Sequence, residues 1–180
     1  YDSSGEGVYA IGLPAKSGVG GGVLAVLPGQ LGIGVFSPRL DARGNSVRGV
    51  AVCEELSRTF RLHFLRVPRS ARSVPRAQYS LARVGSKRQW TPAERRVLDL
   101  RAERAQVYEV QGDLGFAATE TIVRRIVLAS PELEVAIVDL TRVTAIDACA
   151  VRLVLPLVEA LGRRDKQLVL VGVDSHPAFL

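Results

Sequence analysis

The sequence has no methionine, one tryptophan, two histidines and two cysteines among its 180 residues. Cys53 and Cys149 lie far apart in segments of different character, which gives neither a disulfide framework nor the spacing of a metal site. Such cysteine usage fits a reducing compartment, so we expect a cytoplasmic protein that uses no metal and no other cofactor. Because the chain starts at Tyr1 and contains no methionine, we also expect it to be a piece of a longer protein.

Long hydrophobic runs are missing as well. No apolar stretch reaches the roughly 20 residues that cross a bilayer, and there is no basic-then-apolar leader, so we predict no membrane association. The net charge of +6 comes mainly from one arginine-rich segment. That segment holds few aromatic residues, Tyr79 and Trp90, on which bases could stack, so we predict no nucleic-acid partner.

Composition divides the chain into three regions. Residues 1–65 contain three short apolar runs bounded by Gly, Pro and Ser, which predict an antiparallel meander: GVYAIGLP, GVLAVLPG and LGIGVFSP. Helical spacing of apolar residues follows over Val47–Phe64, with Asn45 or Ser46 as the cap. Residues 66–104 are interpreted as a basic linker, with one short helix that Thr91 caps and Pro92 begins.

Residues 105–180 alternate between strand and helix patterns. VYEVQGDLGF resembles a strand pair, EVAIVDL and KQLVLVGV buried strands, and AATETIVRRIVLA and ACAVRLVLPLVEALGRR helices, the second kinked at Pro156. The fold class predicted for the whole chain is therefore α/β (α+β): an antiparallel sheet with a helix, then an α/β domain with a largely parallel sheet. Since DSHPAFL follows a strand that a further helix should cover, we expect this domain to be incomplete at its C-terminal end.

The glycine-rich stretch GLPAKSGVGGGVLAV raises the question of what its lysine binds. A phosphate-binding loop needs glycine before the lysine, where Ala15 stands, and a dinucleotide fingerprint needs a third glycine where Val23 stands. Two interpretations remain: a turn with a solvated lysine, or the Lys-Thr/Ser-Gly strand of serine acyl-transfer enzymes. In such a strand Lys16 supplies positive charge, the Ser17 hydroxyl binds a substrate carboxylate, and Gly18 allows close approach of substrate.

The longer context of this triplet resembles a known family. YDSSGEGVYAIGLPAKSGVGGGVLAVLPG and SPRLDARGNSVRGVAVCEELSR strongly resemble the serine-dependent glutaminases of bacterial and mitochondrial type, whose catalytic domain has a β-lactamase-like fold. The resemblance covers Tyr1 to about Leu65 and implies hydrolysis of L-glutamine to L-glutamate and ammonia through an acyl-enzyme. The family's nucleophile lies upstream in a Ser-x-x-Lys motif that this chain does not contain, so this stretch alone is expected to be inactive.

Four residues match functional positions of that family. The resemblance implies that Tyr1 contacts substrate and moves a proton to or from the nucleophile, and that Lys16 stabilises developing charge. It further implies that the backbone N–H of Val19 contributes to the oxyanion hole, beside Ser17 as a substrate-binding residue. The catalytic residues are thus expected to be Tyr1 and Lys16, in a homo-oligomer.

The second half resembles a STAS domain, the module of anti-sigma-factor antagonists and sulfate-transporter tails, through VQGDLGFAATETIVRRI, VAIVDLTRVTAID and KQLVLVGVD. Regulatory members carry serines in the loop after the central strand, where this sequence has Ala148 and Cys149, so we expect no phosphorylation switch. Asp147 is expected to cap the next helix. Cys149 is either an inert buried thiol or a redox-sensitive thiol of lowered pKa.

The resemblance to a STAS domain implies a protein partner and regulation. The main hypothesis is therefore a glutaminase with a STAS regulatory or interaction domain at residues 105–180. The alternative is a non-enzymatic STAS interaction protein, or an anti-sigma-antagonist-like regulator, in which residues 1–65 are a degenerate remnant. A third interpretation, acyl transfer on a peptide or β-lactam, shares the lysine strand but not its longer context.

Overall fold

The computed structural model describes residues 9–63, 75–84 and 88–176, and the chain divides into two compact units at residues 1–69 and 70–180. Tyr1 lies outside the described residues, as do residues 177–180 at the expected incomplete end. Within the described ranges, the helices lack the combined length and hydropathy of a membrane span.

The first unit contains a three-stranded antiparallel sheet in the order β1 (Ala15–Ser17), β2 (Gly22–Leu27) and β3 (Leu31–Phe36). The predicted meander is confirmed, but its first strand was misplaced, since residues 9–11 are helical. Gly12 adopts a φ of 69° and turns the chain, so the strand starts only after Pro14. A strand of three residues is too short to show alternation. The prediction therefore placed the strand in the apolar run that precedes it.

One helix, α1 (Val47–Thr59), follows the sheet. Of the two caps considered, Ser46 is the N-cap, and its side chain accepts a hydrogen bond from Gly49 N–H. The helix ends at the C-cap Phe60, earlier than the predicted Phe64. Leu62 N–H donates to the carbonyl of Ser57 at 2.8 Å, and its buried side chain belongs to the core of this unit.

The second unit has a mixed sheet in the order β4 (Ala77–Ser80), β5 (Ala105–Leu114), β6 (Val135–Ile146) and β7 (Gln167–Val171). β4 pairs antiparallel with β5, whereas β5, β6 and β7 pair parallel, which confirms a largely parallel sheet. VYEVQGDLGF was predicted as a strand pair, but it lies in one strand. The register against β6 shifts around Gly112, whose φ is 81°. This irregularity interrupts the alternation of side chains along the strand, and the interruption was interpreted from the sequence as a turn between two strands.

The α-helices in the described part of this unit are α2 (Pro92–Arg101), α3 (Phe116–Val127) and α4 (Ala148–Gly162). α2 has the predicted Thr91 cap and Pro92 start, and Glu94 closes a capping box. α4 continues through Pro156 without the break that the kink prediction excluded. The core lies where α3 and α4 pack on the sheet and includes Tyr108, Val110, Ile122, Leu140 and Leu157.

β4 and α2 both lie within residues 66–104, which were interpreted as a linker, and the remainder of that segment is described only in part. β4 is attached by side chains as well as by its ladder. Tyr79 donates its hydroxyl proton to Glu109 at 2.8 Å, and Arg76 pairs with the same carboxylate at 3.1 Å. Four residues reading AQYS carry no periodic signal, so only these contacts with β5 identify the strand.

Candidate active site

A cleft of 480 Å³ opens in the first unit between β1, the start of α1 and the loop of residues 41–45. Lys16, Ser17 and Val19, which the sequence predicted as site residues, all line it, whereas Tyr1 lies outside the described residues. The remaining lining residues include two further charged groups, Asp41 and Arg43. The cleft therefore joins a cation, a hydroxyl and a tight backbone turn.

β1 presents Lys16 to solvent. Lys16 is the middle residue of the strand and pairs with Leu24 of β2, so its side chain alternates with those of Ala15 and Ser17. Lys16 is exposed, whereas its two neighbours are half-buried. The ladder to β2 holds the backbone of Lys16, and its side chain stays exposed.

Val19 lies in the turn that joins β1 to β2. Gly18 N–H donates to the Gly22 carbonyl at 2.8 Å, and Gly21 N–H donates to the Gly18 carbonyl at 2.9 Å. Neither of these two bonds uses the N–H of Val19, whose side chain is 83% exposed. Gly21 has a φ of 89°, a backbone conformation that favours glycine. The glycines thus shape a turn that places Val19 in the lining of the cleft.

The loop of residues 41–45 forms another side of the cleft and was not predicted as part of the site. Asp41 Oδ1 accepts hydrogen bonds from the backbone N–H groups of Arg43 at 2.9 Å and of Asn45 at 2.8 Å. Gly44 N–H donates to the Asp41 carbonyl at 3.0 Å. The sequence did hold a signal, because Asp followed by Gly and Asn is typical of side-chain-stabilised turns.

Asp41 makes the loop sensitive to acid. The hydrogen bond from Asn45 N–H, with that from Arg43 N–H, lowers the pKa of Asp41 below its ordinary value. The carboxylate therefore stabilises the folded state above about pH 4, and this contribution is lost as the pH falls through the lowered native pKa. We expect the urea midpoint of the full-length protein to fall less steeply below pH 4 in Asp41→Asn than in the wild type.

The matched control is Asp174→Asn, which removes a carboxylate from the second unit. It should retain the acid dependence of the wild type. Superimposable midpoint curves for wild type and Asp41→Asn between pH 3 and pH 6 would contradict the role given to Asp41.

The second unit carries the loop in which regulatory STAS domains have serines. Asp147 is the N-cap of α4 and accepts a hydrogen bond from Cys149 N–H at 3.2 Å, which confirms the predicted cap. Cys149 is buried, and burial, followed by the charge of Asp147, raises the pKa of its thiol. The alternative of a thiol with a lowered pKa is therefore wrong.

Both cysteines are expected to be unreactive in the native protein. Cys53 is also buried, and burial raises the pKa of its thiol, so little nucleophilic thiolate is present or accessible. Iodoacetamide at neutral pH should modify Cys53 and Cys149 only after urea unfolding, as measured by peptide mass spectrometry. Rapid labelling of native Cys149 would indicate that the start of α4 opens.

Comparison with protein families gives two matches. The model described as Glutaminase matches residues 1–65, and the model described as STAS domain matches residues 99–180. These matches confirm both resemblances drawn from the sequence motifs. The glutaminase match contains Lys16, Ser17 and Val19, and the STAS match contains the Asp147 loop.

Individual relatives match across both segments. Glutaminase 2 of Bradyrhizobium diazoefficiens is 40% identical over 178 residues, which is 99% of this chain and 28% of that protein. Glutaminase 1 of the same organism is 42% identical over 173 residues, 96% of this chain and 28% of that protein. The chain thus spans little more than a quarter of these curated relatives. Among solved structures, a crystal structure of Mglu is 33% identical over 94% of this chain and 37% of its own, with a TM-score of 0.41.

Proposed function

We propose, from a chain that carries a glutaminase-family segment at residues 1–65 and a STAS domain at residues 99–180, that the whole protein hydrolyses L-glutamine to L-glutamate and ammonia. The observation that carries the proposal is that Lys16, Ser17 and Val19 all line one cleft. Relatives named glutaminase that match nearly all of this chain support it.

The proposed chemistry is acyl transfer. A serine upstream of this chain attacks the side-chain amide carbon of glutamine, ammonia leaves, and water then hydrolyses the glutamyl ester. The Val19 N–H donates to the oxyanion that forms on the amide oxygen, and the Lys16 ammonium stabilises the negative charge developing in the cleft. Tyr1, which lies outside the described residues, transfers the proton to or from the nucleophile.

Ser17 has a separate proposed task, which is to hold the substrate. Its hydroxyl can donate one hydrogen bond while it accepts another. One acceptor site is used by the N–H of Ser46 at 3.1 Å, and the proton is proposed to bind a substrate carboxylate in the cleft. Loss of this bond would weaken substrate binding more than it slows the chemical step.

The STAS domain is proposed to bind a protein partner rather than to act as a phosphorylation switch. Ala148 and Cys149 stand where regulatory STAS domains carry serines, and neither side chain has a hydroxyl that a kinase could phosphorylate. A β-lactamase-like catalytic fold, a cytoplasmic location and a homo-oligomer belong to the same proposal.

The test is ammonia release from L-glutamine by the full-length protein, run beside this chain alone. We expect turnover by the full-length protein only, with L-asparagine and a chromogenic β-lactam as comparison substrates. If glutamine, asparagine and the β-lactam are all left unhydrolysed, the result would favour a STAS interaction protein with a degenerate remnant. Turnover of the β-lactam alone would favour acyl transfer on another substrate class.

A further inference from the structure

A fully buried serine beside the cleft connects β1, the residue after β3 and the start of α1. Ser46 has 0% exposure, its N–H donates to Ser17 Oγ at 3.1 Å, and its hydroxyl donates to the Ser37 carbonyl at 2.7 Å. The same hydroxyl accepts a hydrogen bond from Gly49 N–H at 3.2 Å. Ser46 thus uses its backbone donor, its side-chain proton and its side-chain acceptor at once.

The bond to Ser17 replaces half of a capping box. In a capping box, a glutamate or glutamine three residues after the cap accepts the N–H of the cap residue. That position is Gly49 here, and a Cβ on it would lie 2.7 Å from Val23 Cγ2 and 2.8 Å from Ser46 Oγ. Because α1 approaches β2 too closely for a side chain at this point, the acceptor comes from β1 instead, as Ser17 Oγ. The start of the helix and the end of the lysine strand are therefore coupled directly.

The bond to Ser37 extends the coupling to the turn that carries Val19. Ser37 N–H donates to the Gly21 carbonyl at 2.8 Å, so the residue that accepts the Ser46 proton also holds the last part of the turn. Ser37 thus bonds to Ser46 through its carbonyl and to Gly21 through its N–H, and Gly21 N–H in turn donates to the Gly18 carbonyl at 2.9 Å. The path from Ser46 to the backbone of Val19 is short and consists of buried or backbone groups.

We propose that Ser46 is a positioning residue for the cleft, which sets the Ser17 hydroxyl and the Val19 N–H at a fixed separation. This inference rests on the proposed function, in which Ser17 holds a carboxylate and Val19 stabilises the oxyanion. The N–H of Ser46 occupies the acceptor side of Ser17 and directs its proton toward the cleft. The hydroxyl of Ser46 holds the turn through Ser37. One residue thereby sets the distance between the substrate-holding group and the oxyanion donor.

The test compares three substitutions of Ser46 in the full-length protein. Ser46→Ala removes the hydroxyl, and Ser46→Asp retains a good helix cap but cannot donate to the Ser37 carbonyl. Ser46→Thr retains both the donor and the acceptor. We expect kcat for glutamine to fall about 10- to 100-fold in the first two variants, because misplaced groups cost that much, and to be largely restored in the third.

The matched control is Thr91→Ala, which removes the N-cap of α2 in the second unit. It should reduce stability as a lost cap does, without changing kcat or KM. If Ser46→Asp turns over glutamine as fast as the wild type, Ser46 only caps its helix and the proposal is overturned.

Amide hydrogen exchange separates this proposal from the proposed function. Ser46→Asp should increase exchange in a peptide that contains residues 18–21, and Thr91→Ala should leave it unchanged. An inactive wild type with increased exchange in Ser46→Asp refutes the glutaminase function and retains the coupling. Unchanged exchange overturns the coupling, whatever the activity of the wild type.

Discussion

Replacing Lys16 with alanine in the full-length protein is expected to lower ammonia release from L-glutamine by about 10²- to 10³-fold or more, the cost of removing a preorganised charge-stabilising group. Lys16 is exposed at the centre of β1, so its side chain contributes little to the core. The loss should therefore appear in kcat, with the free energy of unfolding changed by no more than about 0.5 kcal/mol.

Two variants control for charge and for shape in this experiment. Arg48→Ala removes an exposed cation from α1 outside the lining of the cleft and should leave turnover unchanged. Lys16→Arg keeps the positive charge but replaces a compact ammonium by a planar guanidinium, so it should restore activity only in part. Full activity in Lys16→Ala would remove Lys16 from the site and favour the interpretation of a solvated lysine.

Gly21→Ala is the second substitution for which we expect a large effect. A Cβ at Gly21 would lie 2.6 Å from both the Ser37 carbonyl oxygen and Pro38 Cα, and the backbone φ of 89° disfavours any side chain. The conformational penalty of about 1–2 kcal/mol and a packing penalty of about 1–3 kcal/mol together predict a loss of about 2–5 kcal/mol in the free energy of unfolding. Because Gly21 belongs to the turn of Val19, kcat should fall as well.

Gly29→Ala is the matched control. Its φ of 74° carries the same conformational penalty, but, among the described residues, no heavy atom beyond Gly29 and its two chain neighbours lies within 4 Å of the Cβ position. It should cost only about 1–2 kcal/mol and leave kcat unchanged. Urea unfolding and steady-state kinetics of the full-length protein would measure both effects. If both variants lose the same free energy of unfolding, the contact with Ser37 and Pro38 makes no measurable contribution to stability.

Length separates β2 and β3, which were predicted correctly, from β1, which was misplaced, and β4, which was not predicted. β2 and β3 have six residues each and lie where the apolar runs placed them, whereas β1 and β4 have three and four. A short strand is stabilised mainly by the strand that pairs with it. The sequence of the short strand alone does not identify that partner. For the same reason β4 was not predicted within residues 66–104, whereas α2 was predicted from its Thr91 cap and Pro92 start.

The sequence by itself determined the two families, the order of the two segments and the identity of Lys16, Ser17 and Val19 as candidate site residues, because these follow from long motifs read along the chain. Only the tertiary structure decided that the loop of Asp41 forms a side of the cleft and that buried Ser46 bonds to Ser17 of β1 and to the Ser37 carbonyl while it caps α1. The physical reason is that Ser46 bonds to Ser17 across 29 positions of sequence. A serine before a helix predicts a cap, but which distant acceptor takes its N–H is fixed only when the helix packs against the sheet.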